Sequence, residues 1–190
     1  MGKRRQYAAF LRGVMPTNAR MSDLVRSFET AGFSDVATVL GSGNLVFTAP
    51  AAAESTIERK AEAAMRETLD RSFHTIVRTI DDLQSLLAKD PFAGLRLPPG
   101  SKCNVSLARE PLRAKRAFPI ERDGARIVKA VGKEAFSVHV PSPRGPVFMA
   151  LIRETFGDTV TTRTWDTIKK VVAKAGLASA SNPRRSRTAR

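Results

Sequence analysis

Side chains that carry reactive chemistry are few in this chain, and they do not cluster. Two histidines and one cysteine are too few for the usual Cys/His zinc site, and neither a CxxC pair nor an HExxH helix occurs. Cys103 stands in an apolar strand pattern, Cys103-Asn104-Val105-Ser106-Leu107, with no histidine near it in sequence, so it reads as a buried thiol and not a nucleophile. His139, also on an apolar strand pattern, reads as a satisfied core residue. Gly41-Ser42-Gly43-Asn44 lacks the spacing and the lysine of a phosphate-binding loop, and it joins two strand patterns, which excludes a nucleophile elbow. Nothing in the sequence calls for a metal or a cofactor.

The most informative polar cluster is Thr161-Thr162-Arg163-Thr164-Trp165-Asp166-Thr167, which reads as the opening of a helix. Free N–H groups and the helix dipole attract anions there. Arg163 in the first turn is locally unfavourable, so it wants a bound anion or a salt bridge to Asp166. The expected contacts of a small anionic ligand are Arg12 at a strand end, Asn44 in a hairpin turn, and Thr162 and Arg163 at this helix start. The arginines would supply charge, and Thr162 and Asn44 hydrogen bonds. For all four the bland reading is a structural one, as turn, cap and salt-bridge residues. A second set, Arg109, Arg113, Lys115 and Arg116 with Arg184, Arg185 and Arg187 of the tail, suits a nucleic acid. Phe118 is the only ring near the first group, so a platform for stacking single-stranded bases is poorly supported. An enzyme would need a perturbed acid or base in a cleft, and the sequence offers no such pair.

The charge balance points the same way as the second set. The net charge is +14; residues 1–95 hold 12 basic and 11 acidic side chains, and residues 96–190 hold 20 and 7. A half this basic attracts polyanions, although excess Arg and Lys also serve solubility. The hydrophobic fraction of 42% and charged fraction of 26% are those of a soluble globular chain. No apolar run approaches the roughly 20 residues that span a bilayer, and Tyr7 to Leu11 is too short for a signal peptide. Gln6 stands where a myristoylated glycine would want Ser or Thr. A cytoplasmic protein without a membrane partner is expected; the sequence does not speak to oligomeric state.

These residues need elements to position them. Val36 to Leu40 and Asn44 to Thr48 are β-rich runs joined by Gly and Asn, which tolerate positive φ, so they form a hairpin. Before it, Met21, Leu24, Val25 and Phe28 make the stripe of a helix over 21–31, capped by Ser22 or Asn18 and ended at Gly32. After it, a helix over 54–71 buries Ile57, Ala61, Ala64, Met65 and Leu69, with Glu58 and Glu62 as a like-charge pair. The strands outside them are Tyr7–Leu11, apolar at every position and therefore central, and His74–Thr79, alternating and near an edge. The order is β-α-β-β-α-β, a ferredoxin-like unit over 5–80. A helix over 81–89, capped by Asp81 or Asp82, and the Leu97-Pro98-Pro99-Gly100 connector fill 81–100. The second α+β half, 101–177, reads as strand 102–107, a basic helix 111–118, strands 126–131 and 134–140 with a turn at Gly132-Lys133, a stiff loop 141–146, a helix 147–156, and a last helix from 161 or 162 to Gly176. Residues 178–190 read as a flexible basic tail. The expected fold class is therefore α+β, two ferredoxin-like halves packed as one compact unit, the second an imperfect copy.

Several short matches in order resemble a bacterial family catalogued as domain of unknown function 1697: Tyr7 to Gly13, Met21 and Leu24, Gly32-Phe33, Ser42-Gly43-Asn44 before Val46-Phe47, and Thr162-Arg163-Thr164-Trp165 with Thr167 and Lys170. The resemblance covers roughly positions 5–175 and implies two intertwined α+β, ferredoxin-like halves; it implies no reaction. Two departures stand out. Val14-Met15-Pro16-Thr17-Asn18 replaces the family's Ile-Asn-Val-Gly-Gly, and Arg144-Gly145-Pro146-Val147 replaces its Gly-Arg-Ser-Lys. Both lost elements could offer N–H or ammonium groups to an anion.

Overall fold

The computed structural model describes residues 3–141 and 147–180. Most of the expected stiff loop, with Arg144, and the tail arginines Arg184, Arg185 and Arg187 lie outside the described residues. The architecture is mixed α+β, with two antiparallel sheets and five helices among the described residues. The chain falls into two compact units, one formed by residues up to 85 together with those from 169, the other by residues 86–168.

In the first unit, strand β1 (Arg4–Leu11) is central because it can be buried on both faces. It pairs antiparallel with β3 (Asn44–Pro50) on one side and β4 (Thr75–Thr79) on the other; β2 (Ser34–Thr38) adds to β3, giving the order β2-β3-β1-β4. Tyr7, Ala9 and Leu11 turn one face toward helices α1 (Met21–Thr30) and α2 (Glu54–Leu69), where Leu24, Phe28, Ile57, Ala61 and Met65 close the core. Ala8, Phe10, Val46 and Ile76 on the opposite face are also buried. On that side the Gln6 amide donates to the Ala175 carbonyl of the C-terminal helix (3.1 Å).

Local details depart from the sequence reading. Arg20 is the N-cap of helix α1 and makes no side-chain capping bond. Asn18 instead ties its own loop, accepting from Met15 N–H (2.8 Å) and donating to Gly13 C=O (2.8 Å). Helix α3 (Ile80–Lys89) is capped by Thr79, whose hydroxyl accepts from Asp82 N–H (3.1 Å) and donates to the Asp82 carboxylate. Strand β4 is buried at every position, not half-buried.

The second unit is built on β5 (Lys102–Leu107), β6 (Ile120–Arg122), β7 (Ala125–Val131), β8 (Glu134–His139) and β9 (Thr161–Thr164), in the order β6-β7-β8-β5-β9. Helix α4 (Val147–Phe156) covers one face through Leu151 and Ile152 against Ala125, Ile127 and Ile120. On the other face Phe136 meets Phe92 and Trp165 edge-on.

Three expectations fail here. Residues 111–118 form no helix: Leu112 and Ala114 pack on the core while Arg113 and Lys115 are exposed, a period of two that suits extended chain between Pro111 and Pro119. Residues 161–164 are strand β9, so α5 (Trp165–Ala180) starts later. Its start is capped by Thr164, whose hydroxyl accepts from Thr167 N–H (3.2 Å). Finally, α5 runs through Gly176, which does not adopt the left-handed conformation that would end a helix.

Candidate functional site

The second unit contains a cleft of about 400 Å³, within the usual range for small-molecule sites. Its position follows from the β6–β7 hairpin. Asp123 and Gly124 both take positive φ (45° and 79°), as a two-residue type I′ turn requires. The register then places Glu121 opposite Arg126, and Arg126 opposite Val138. Cross-strand partners share a face, so Glu121, Arg126 and Val138 line the same side of the sheet. The connector supplies Arg96, Leu97, Pro98 and Ser101. The result is an apolar floor with arginines among its lining.

The three arginines differ in their state. Arg122 is held by Glu154 of α4 in a two-pronged pair (2.8 and 2.6 Å). The shared hydrogen bonds raise the Arg122 pKa and lower that of Glu154. Arg126 lies 3.5 Å from Glu121. Arg96 is exposed and has no hydrogen bond or ion pair among the described residues. Such a set can bind and orient an anionic group; it holds no nucleophile–base pair. Among the described residues no three His, Cys, Asp or Glu side chains gather to hold a metal ion.

A family model described as a protein of unknown function, DUF1697, matches residues 4–136. The chain belongs to this family. A comparison with curated proteins finds no match. Among solved structures, the conserved bacterial protein SP0830 from Streptococcus pneumoniae is similar in fold, with a TM-score of 0.66 at 15% identity over 91% of this chain and 99% of that one.

In this DUF1697 chain the contacts expected from sequence fall in different units. Arg12 and Asn44 belong to the first. Arg12 is exposed and its N–H donates to His74 C=O (2.9 Å). Asn44 is fully buried, and its amide donates to Val39 C=O and Ser42 Oγ (3.0 Å each), which closes the hairpin loop. Thr162 and Arg163 belong to the second, adjacent on β9. Thr162 shares a hydrogen bond with Ser106 (2.7 Å). Arg163 is half-buried on the strand, not in a first helical turn; it donates to Thr162 C=O (2.9 Å), and burial pushes its pKa down to about 10. Of the basic set, Arg113, Lys115 and Arg116 are exposed with no ion pair among the described residues, and Arg109 is half-buried.

His139 is also accounted for. Its Nδ1 accepts from the Asn104 amide (2.9 Å), and that amide nitrogen is oriented by a second bond to Lys102 C=O (3.2 Å). With the amide donating, the neutral ring carries its proton on Nε2, and its one lone pair, on Nδ1, is engaged by Asn104. The ring stacks on Phe148 at 4.0 Å. Cys103 is half-buried.

The cleft arginines Arg96, Arg122 and Arg126 are absent from the sequence reading. The Asp123-Gly124 turn is the signal that could have found two of them.

Proposed function

We propose that this protein is a non-catalytic binder of a small anionic ligand, seated in the cleft of the second unit. One observation carries the reading: arginines and an apolar floor line one cleft, and Arg96 faces solvent there without an ion pair among the described residues. Charge-assisted bonds from guanidinium to carboxylate or phosphate are strong and geometrically specific. Asn44 and Thr162 commit polar atoms to the fold, so the reading rests on the cleft and not on the four residues expected from sequence. The fold itself is read as a duplicated ferredoxin-like unit. In support, β7-β8-β5-β9 repeats the strand order β2-β3-β1-β4, with an extended segment and β6 where the first copy has a helix.

The test is a heteronuclear NMR titration of the full chain with 4-methylpentanoate. Shifts are expected at Ser101, Gly124 and Val138, saturating in the millimolar range or below, and lost in Arg96→Gln. Saturable shifts that avoid these residues, or that persist in Arg96→Gln, would overturn the reading.

A second reading, association with nucleic acid, is favoured by the exposed cations Arg113, Lys115 and Arg116 in one extended segment.

A further inference from the structure

We infer that the ligand of the cleft is a short apolar zwitterion, a peptide or amino acid carrying both a carboxylate and an ammonium group. This rests on the cleft reading above and adds a cationic group to the ligand's anionic one. Of the charged residues that line the cleft, Arg122 is engaged by Glu154 and Arg126 by Glu121. Two remain without a hydrogen bond or ion pair among the described residues: Arg96, and Asp123 at the hairpin turn. Both are exposed. The cleft therefore offers one cation and one anion that no hydrogen bond or ion pair among the described residues engages, the Asp123 charge acting at longer range on its neighbour Arg122.

A simple anion would satisfy Arg96 and be repelled by Asp123; a simple cation would meet the reverse. Only a ligand with both charges meets both groups. The apolar lining of the same cleft includes Leu97 and Val140, exposed to 37% and 38%. Apolar lining with a few polar groups suits a ligand with an apolar body. The volume of about 400 Å³ admits a dipeptide with aliphatic side chains. The hairpin fixes the position of Asp123, since Asp123 and Gly124 hold a turn with little freedom.

Titration calorimetry of the full chain with three probes of one body separates the possibilities: leucyl-leucine, N-acetyl-leucyl-leucine and leucyl-leucinamide. Leucyl-leucine is expected to bind about tenfold tighter than either blocked form, the scale of one charge-assisted hydrogen bond. Asp123→Asn should abolish its advantage over the acetylated peptide, and Arg96→Gln its advantage over the amide. Asparagine accepts the left-handed backbone of the turn, so the first variant keeps the hairpin. The second changes an exposed residue outside any helix or strand. Equal affinity for free and acetylated peptide would overturn the zwitterion inference and leave the anion reading standing. Failure of all three peptides would also overturn it, and the 4-methylpentanoate titration would then decide the broader reading by itself.

Discussion

Glu58 is a carboxylate only 3% exposed, placed where the sequence suggests repulsion with Glu62. The structure gives each of them a donor. Glu58 accepts from Val77 N–H (3.0 Å) and Glu62 from Thr75 N–H (2.9 Å), while Glu54 pairs with the buried Arg78 (3.3 Å). Removing the Glu58 acceptor leaves a buried N–H unsatisfied, which costs about 1–3 kcal/mol. Glu58→Ala should therefore lower the urea-unfolding free energy by that amount, and Glu58→Gln, which keeps an acceptor oxygen, by clearly less. Equal stability of wild type and Glu58→Ala would remove the argument. His139 makes a second prediction at this scale. Burial, and then the nearby Lys102 charge, hold its folded pKa below the ordinary 6.5. Between those two values the unfolded chain binds more protons than the folded one, so stability rises with pH there. The contribution is complete above about 6.5 and is lost as pH falls toward the folded value. Denaturation curves across that window should show a slope in wild type that is reduced in His139→Gln; parallel curves would sink the claim.

At the scale of elements, Glu58 and Glu62 form a two-rung ladder of acceptors whose spacing has a geometric reason. Residues four apart on a helix rise about 6 Å, and alternate residues of a strand are about 6.6 Å apart. One face of α2 can thus supply successive N–H groups of β4, the edge strand of its sheet, with acceptors. An edge strand with unsatisfied N–H groups is a site for unwanted pairing, and the ladder closes it. The hairpin loop between β2 and β3 shows a different constraint. Gly43 has φ of 70°, and a Cβ there would lie 2.8 Å from Val14 Cγ2 and 2.9 Å from its Cβ. Gly43→Ala should cost about 2 kcal/mol or more, of which about 1 comes from the left-handed backbone. In a Val14→Gly background the cost should fall toward that backbone share, as a double-mutant cycle of thermal unfolding would show; additive effects would mean that the loop does not press on the turn. The first unit was legible because its helices carry clear stripes and Gly32 and Gly43 mark real positive φ. What escaped was tertiary. The loop spans Val39 to Gly43, with Leu40 also at positive φ (60°), and no propensity announces a leucine there. Residues 111–118 have the composition of a basic helix, but their period of two between prolines is that of extended chain.

For the whole molecule, the candidate site was the least legible part, because it is assembled by register. Arg96, Arg122 and Arg126 lie on three elements, and only the pairing of Glu121, Arg126 and Val138 brings their surroundings together. Charge, by contrast, could be read at once. The net +14 falls almost wholly after residue 95, and that excess stands after the carboxylates facing Arg122, Arg126 and Arg153 have been counted. The cations that stay exposed in the described part of 109–119 are Arg113, Lys115 and Arg116, and three side chains can neutralise about three phosphates. Counterion release then gives a slope of log K against log salt near −2.7 on duplex DNA. Replacing all three with alanine should reduce the measured slope by about 2.7, roughly 0.9 for each cation. The measurement is fluorescence anisotropy with a short labelled duplex, on the full chain and on a chain ending at residue 177. If the slope stays the same in the triple variant but collapses on truncation, any polyanion contact belongs to the tail. If neither chain binds at low salt, the charge serves solubility, and the uncompensated Arg96 and Asp123 of the cleft become the better guide to what this protein recognises.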